Sequence, residues 1–311
     1  MSFENIVGNT KIKQELKNVA NSNAVSHSYL FVGEEGIGKK QIAREFAKMI
    51  LCLSQEKEKC NQCDSCIKFI SNNNPDFIEI SEDGNSIKIA QIRELQEKIY
   101  QKPIVSSKKV VIIDNSEKMT EEAQNSLLKT LEEPPEYIVI ILITSNENKL
   151  LNTIKSRCLK LSFVNIDSKE MIEYIDKNQE IQKPSQSILD LSNGSIGRLI
   201  KINDNIEEYN QVDGITKDMI NSNIRNVVKL INQYEVLYKS KEIIFDLLDY
   251  MIAIVYSHIK KNADYRSKFI NIIGIINNAK TKLNSNTNYD MCIDEMLFKI
   301  WEEIDENNSR S

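Results

Sequence analysis

The chain has 311 residues, 41% of them hydrophobic and 27% charged, with a formal net charge of −5 and a pI near 5.4. This composition excludes a disordered or fibrous chain and fits a globular protein with enough apolar material for about two domains. Its acidic balance argues against a free-standing nucleic-acid binder that works through bulk positive charge.

The opening stretch MSFENIVGN has neither a basic start nor an apolar segment, so no signal peptide is expected. The longest apolar run, Tyr137 to Ile143, falls far short of the roughly 20 residues a membrane helix needs. A cytoplasmic protein is the expectation. Ile12, Leu16 and Val19 then share one helical face. Tyr29 to Val32 is a short run of strand type, followed by Gly33, Gly36, Gly38 and Lys39 at the spacing of a Walker A loop. In such a loop the glycines let backbone N–H groups curl round phosphate oxygens, and the lysine reaches the terminal phosphates. Ile42, Ala43, Phe46, Ala47, Ile50 and Leu51 recur at helical spacing, so a helix N-terminus points at the same place.

Cys52, Cys60, Cys63 and Cys66 follow as C-x7-C-x2-C-x2-C. Four thiolates close a tetrahedron round zinc with no open position, so a structural zinc site is expected. Phe77 to Ile80 reads as a second strand and Ile89, Ile92, Leu95 and Ile99 as one face of a second helix. Val110 to Ile113 is an unbroken β-branched run that ends at Asp114, as a buried parallel strand with an acid at its carboxyl end would. Thr120 can cap a helix that runs through Leu131 and stops at Pro134 and Pro135. Tyr137 to Ile143 is a further strand, and after Ser156, Arg157 and Cys158 the segment Leu159 to Phe163 alternates as a strand does. Strands and helices in alternation imply an α/β doubly wound parallel sheet with its ligand at the strands' carboxyl ends. From Ser168 onward only helical signals remain, broken by the GSIGR turn at Gly194 to Arg198. The Asn-rich pieces at Asn203 to Asn210 and Asn284 to Asn288 read as connections.

Two positions depart from a working P-loop ATPase. Lys40 stands where Ser or Thr would ligate magnesium, and an ammonium has three donors and no acceptor. Asp114 is the natural Walker B acid, but Asn115 follows it where a glutamate would polarise water. Both departures point to a fold kept without turnover, and leave binding of ATP or ADP without hydrolysis open. Arg157, taken alone, reads as a surface arginine.

Together these residues resemble the delta-prime subunits of the bacterial DNA polymerase III clamp loader, within the AAA+ clamp-loader family. The resemblance rests on HSYLF before the loop, the cysteine knuckle, NPD at Asn74 to Asp76, NSLLKTLEEPP at Asn125 to Pro135, SRC, GSIGR and the tail NYDMCIDEML. It implies an AAA+ P-loop core over residues 1–166 with a zinc knuckle at 52–66, a helical lid over 167–207, and an all-α collar over 208–311 through which subunits assemble. It further implies a stator with a degenerate nucleotide site, acting with gamma/tau motor subunits, the delta subunit, a sliding clamp and primed DNA in DNA replication. Arg157 matches the family's arginine finger, which acts in trans on a neighbour's ATP; Arg198 matches the sensor-2 arginine, and Thr144 lies at the sensor-1 position. A gamma/tau-type motor would need Ser or Thr at position 40 and an acid at 115. A P-loop phosphotransferase would need a magnesium ligand at the loop's end, and this chain has none of these.

Overall fold

The computed structural model describes residues 3–22, 24–54, 60–178, 184–220, 234–261, 266–285 and 287–308. Residues 55–59 of the expected knuckle and residue 286 of the Asn-rich connection lie outside that set. The chain divides into two compact units, Met1–Asn178 with Gly194–Arg198, and Gln179–Asn193 with Leu199–Ser311.

The first unit is built on a five-stranded, all-parallel sheet in the order β2-β3-β4-β1-β5. Its strands are β1 (Ser28–Val32), β2 (Phe77–Ile80), β3 (Lys109–Ile113), β4 (Ile138–Thr144) and β5 (Leu159–Ser162). Every residue of β3 and β4 is buried, as strands covered on both faces require, whereas β2 and β5 are the edges and are partly open. Alternation along each strand divides the core in two. Phe31, Val110, Ile112, Val139, Ile141 and Ile143 pack with α1 (Thr10–Ser22) and α2 (Lys39–Leu51). Leu30, Val111, Ile113, Ile140 and Leu142 face α4 (Ile89–Ile99), α5 (Glu121–Glu132) and α6 (Asn152–Lys155) on the other side. This is a doubly wound parallel α/β core, with the glycine loop between β1 and α2.

Local chemistry sets the boundaries. Thr120 caps α5 by accepting from the Ala123 N–H at 3.3 Å, and the prolines after Glu133 stop it. The cysteine region also contains α3 (Asp64–Ile70), a helix that hydrophobic period does not announce because Ile67 and Ile70 are exposed.

The second unit is helical throughout its described residues. Its long helices are Ile206–Ile220, Ile244–Lys261, Arg266–Leu283 and Tyr289–Asn308, and their shared core includes Leu247, Leu248, Met251, Ile272, Ile276, Ile293, Leu297 and Ile300. One expected connection is corrected here. Of Asn203 to Asn210 only Asn205 is a connection, because one helix runs to Asp204 and the next starts at Ile206. Ile202 is buried on the first helix and Tyr209 and Val212, three apart, on the second, and this burial outweighs the asparagine content. The described residues of Asn284 to Asn288 do lie between helices.

Candidate nucleotide site and cysteine cluster

The glycine loop leaves β1 and is tied to the sheet at once, since the Gly33 N–H donates to the Thr144 carbonyl at 3.2 Å. Gly36 and Gly38 take φ of +78° and +91°, a region that costs a side-chain-bearing residue strain, and Gly38 starts α2 from there. A Cβ on Gly36 would stand 2.3 Å from the Ser195 hydroxyl, because the GSIGR turn packs directly on the loop. Ser195 Oγ donates to the Glu35 carbonyl at 2.8 Å and the Gly197 N–H to the Gly36 carbonyl at 2.9 Å. Arg198 sits one residue on, its N–H donating to Ser195 Oγ at 3.1 Å.

Lys39 is buried and folded back, donating to the carbonyls of Gly33 at 2.6 Å and Glu34 at 2.5 Å. Burial pulls its pKa below the ordinary lysine value, and the carboxylates of Glu117 and Asp114 work against that. Lys40, by contrast, is drawn to carboxylates. Its ammonium pairs with Glu79 Oε1 at 2.8 Å and with Asp114 Oδ2 at 3.0 Å. Burial alone would lower its pKa, but the two carboxylates prevail and raise it. Arg44 pairs with Glu79 as well and lies over the Phe77 ring, 5.3 Å from its centroid.

Asn115, left-handed at φ +47°, directs its amide to the Glu82 carboxylate at 3.1 and 3.2 Å. Lys118 and that amide hold the Glu82 carboxyl down at about 2. Thr144 is fully buried at the end of β4, and its hydroxyl accepts from the Asn146 N–H at 3.0 Å. The strand ends thus bring together Gly33, Gly36, Gly38, Lys39, Asp114, Thr144 and the GSIGR turn.

Glu117 was not foreseen from the sequence. Burial pushes its carboxyl up, but hydrogen bonds from Ser145, from its own backbone and from Thr144 overcome this and hold it below the usual range. Its Oε2 is buried with no hydrogen-bond partner among the described residues. The signal available was weak, an acid three residues beyond Asp114 on the far side of a tight turn.

Arg157 lies away from this cluster, in the turn between α6 and β5. Its carbonyl accepts from Ser28 Oγ at 2.6 Å, which fixes the backbone to the start of β1. Gln124, buried on α5, donates to the Lys149 carbonyl and accepts from the Leu151 N–H, so the approach to the turn is also fixed. The guanidinium is held more loosely, in a half-exposed ion pair with Glu132 at 2.6 Å and a bond to the Thr153 carbonyl at 2.9 Å. Glu132, the last residue of α5, is therefore a partner of Arg157.

The sulfur atoms of Cys52, Cys60, Cys63 and Cys66 all lie within 4.8 Å of one another, and Cys52 and Cys63 are 3.9 Å apart. Tetrahedral zinc with Zn–S bonds of about 2.3 Å puts sulfurs about 3.8 Å apart, so the four residues fit the ion. Cys63 caps α3, its sulfur accepting from the Cys66 N–H at 3.4 Å. The Gln62 N–H draws the Cys60 thiol down to about 6, whereas burial pushes Cys52 up to about 11. Beneath the cluster, Lys48 is 2% exposed and bonds to Asn61 Oδ1 at 3.0 Å and Glu45 at 2.8 Å, which ties the C-x2-C turn to α2.

Among the described residues no helix is long and apolar enough to cross a membrane. The family model described as DNA polymerase III, delta subunit, matches residues 8–167, just over half of the 311-residue chain. The Bacillus subtilis DNA polymerase III subunit delta' is 33% identical over 231 residues, 74% of this chain and 65% of that protein. A Mycoplasma genitalium DNA polymerase III subunit gamma/tau is 33% identical over 223 residues, 70% of this chain and 37% of that protein. The chain thus spans less than two thirds of the length of these relatives. The crystal structure of a Thermotoga maritima gamma subunit-related protein superposes with a TM-score of 0.45 at 18% identity, covering 93% of this chain and 99% of that one. On the family match over its sheet unit, the chain belongs to the DNA polymerase III delta-subunit family of AAA+ clamp-loader proteins.

Proposed function

We propose that this chain is a non-motor, delta-prime-type subunit of the replicative clamp loader, which keeps an AAA+ core as a rigid stator and does not turn over ATP itself. The observation that carries the reading is the Lys40 ammonium bonded to the Walker B acid Asp114 at 3.0 Å, where a working site holds magnesium. Asn115 supports it independently, since its amide is donated to Glu82 and cannot take a proton from water. The same two residues speak against a gamma/tau-type motor.

In this reading residues 1–166 form the core, 167–207 the lid and 208–311 the collar through which the chain assembles with gamma/tau and delta subunits. Cys52, Cys60, Cys63 and Cys66 hold a structural zinc ion. Gly33, Gly36, Gly38, Lys39, Asp114, Thr144 and Arg198 form the degenerate nucleotide site. Arg157 acts in trans: its backbone is fixed by Ser28 while its guanidinium is held at the surface by Glu132 and by the Thr153 carbonyl, so it can exchange Glu132 for a neighbour's phosphate.

The test is a reconstituted complex containing Arg157→Ala, with motor subunits, delta, clamp and primed DNA. Fingers of this kind supply about 10³–10⁵ in rate at the site they reach. One of several hydrolysing sites loses its finger, so total DNA-stimulated turnover should fall in part and clamp loading should fall further. An assembled mutant complex that loads clamps at the unmutated rate returns Arg157 to the surface.

A further inference from the structure

In a working P-loop the side chain at position 40 supplies an oxygen to magnesium, and the Walker B acid completes the metal's hold. Magnesium takes oxygen ligands at about 2.0–2.1 Å in a strict octahedron, and an ammonium offers it none. The Lys40 nitrogen instead stands 3.0 Å from Asp114 Oδ2 and 2.8 Å from Glu79 Oε1, against the very acid the metal would use. We propose that the Lys40 ammonium is a built-in substitute for the divalent cation, so that this P-loop takes a nucleoside polyphosphate free of metal. The inference rests on the reading of the loop as a degenerate nucleotide site.

Charge balance supports it. The cluster round Lys40 contains two acids, Glu79 and Asp114, and two cations, Lys40 and Arg44. It is neutral before any ligand arrives. Without Lys40 it would carry one net negative charge facing the phosphates, and a metal would have to cancel it. With Lys40 in place, a magnesium ion has to displace an ammonium that already bridges both carboxylates. Lys40 is about half exposed, with a side-chain exposure of 45%, so an incoming phosphate can reach its remaining donor without disrupting the core. Lys39, the neighbouring residue, is hydrogen-bonded to loop carbonyls that a phosphate oxygen can outcompete. The loop therefore presents two lysines, and both Asp114 oxygens are engaged, Oδ2 by Lys40 and Oδ1 by the Asn115 N–H at 3.0 Å.

The test is calorimetric titration of the full-length chain with ADP and with ATP, each in EDTA and in excess magnesium. The unmutated chain should bind in EDTA, and magnesium should leave the affinity unchanged or weaken it, because metal-bound phosphates have less charge to offer the lysines. Lys40→Thr should lose about tenfold in EDTA and recover it in magnesium, a change of roughly 1.4 kcal/mol each way. Lys40→Arg, which keeps the cation, should bind in EDTA like the unmutated chain and serves as the folding control. The inference is overturned if magnesium tightens binding to the unmutated chain about tenfold, if Lys40→Thr binds as well as the unmutated chain in EDTA, or if no condition gives binding. None of these outcomes touches the stator reading, which fails only if the chain hydrolyses ATP.

Discussion

The Asp76 carboxylate is fully buried and accepts from three successive backbone N–H groups, those of Ile104, Val105 and Ser106, each at 2.7 Å. Its neighbour Asn74 holds the Ser65 carbonyl and hydroxyl, and Ser106 reaches the Leu51 carbonyl and Ser65. These two residues thus join the end of α2, the start of α3 and the loop before β3. Hydrogen bonds to a charged group contribute about 1.5–3 kcal/mol each, and an amide in place of the carboxylate keeps part of the set while turning a donor towards donors. Asp76→Asn should therefore cost about 3 kcal/mol, read as a lowered urea midpoint at unchanged slope. A midpoint indistinguishable from the unmutated chain would show that water replaces the carboxylate without loss. Lys40 and Asn115 were legible in the sequence because a single side chain's chemistry decides what it can do for magnesium or water. Asp76 and Glu117 were not, because their partners at residues 104–106 and at Ser145 are brought to them only by the fold.

The cysteine segment is an element held by local contacts and, in our reading, by its metal. α3 has only seven residues, too few to be stable on helix propensity alone, and its N-terminus is capped by Cys63, a zinc ligand in that reading. Zinc bound by four thiolates supplies on the order of 10–16 kcal/mol at neutral pH, more than a helix of this length can replace. We expect one zinc per chain in metal analysis. Its removal by a chelator should open amides from Ser65 to Ile70 to hydrogen exchange while those of β3 and β4, buried throughout, stay protected. Exchange that is unchanged after chelation would mean the thiols hold the turn without an ion. Strands were legible as elements because β3 and β4 carry unbroken apolar runs rich in Val and Ile, which two covered faces demand. Short α3 was hidden by its exposed Ile67 and Ile70, and Asn203 to Asn210 was misread because asparagine content speaks for turns where the buried Ile202, Tyr209 and Val212 decide for helix.

At the scale of the whole molecule the chain returns after Asn193 to place Gly194–Arg198 in the sheet unit. That return rests on Gly36 and Gly197 meeting across some 160 positions of sequence, a pairing no periodicity reveals. Hydrolysis needs a metal ligand, a base and a stabilising arginine gathered round one γ-phosphate. Here the first is replaced by the Lys40 ammonium and the second by Asn115, whose amide is committed to Glu82. The arginine is absent from the isolated chain in our reading, because fingers in this assembly come from a neighbour. Three independent defects multiply, so repairing one leaves the others in force. The isolated chain should show no magnesium-dependent ATP turnover, and Lys40→Thr should remain inactive even though it restores a metal ligand. Glu117 is a carboxylate near Lys39 that could replace the missing base, and it is already engaged by Ser145. Steady-state phosphate release at motor-subunit rates from the unmutated chain would contradict all of this, and turnover in Lys40→Thr that is lost in Lys40→Thr with Glu117→Gln would identify Glu117 as the base.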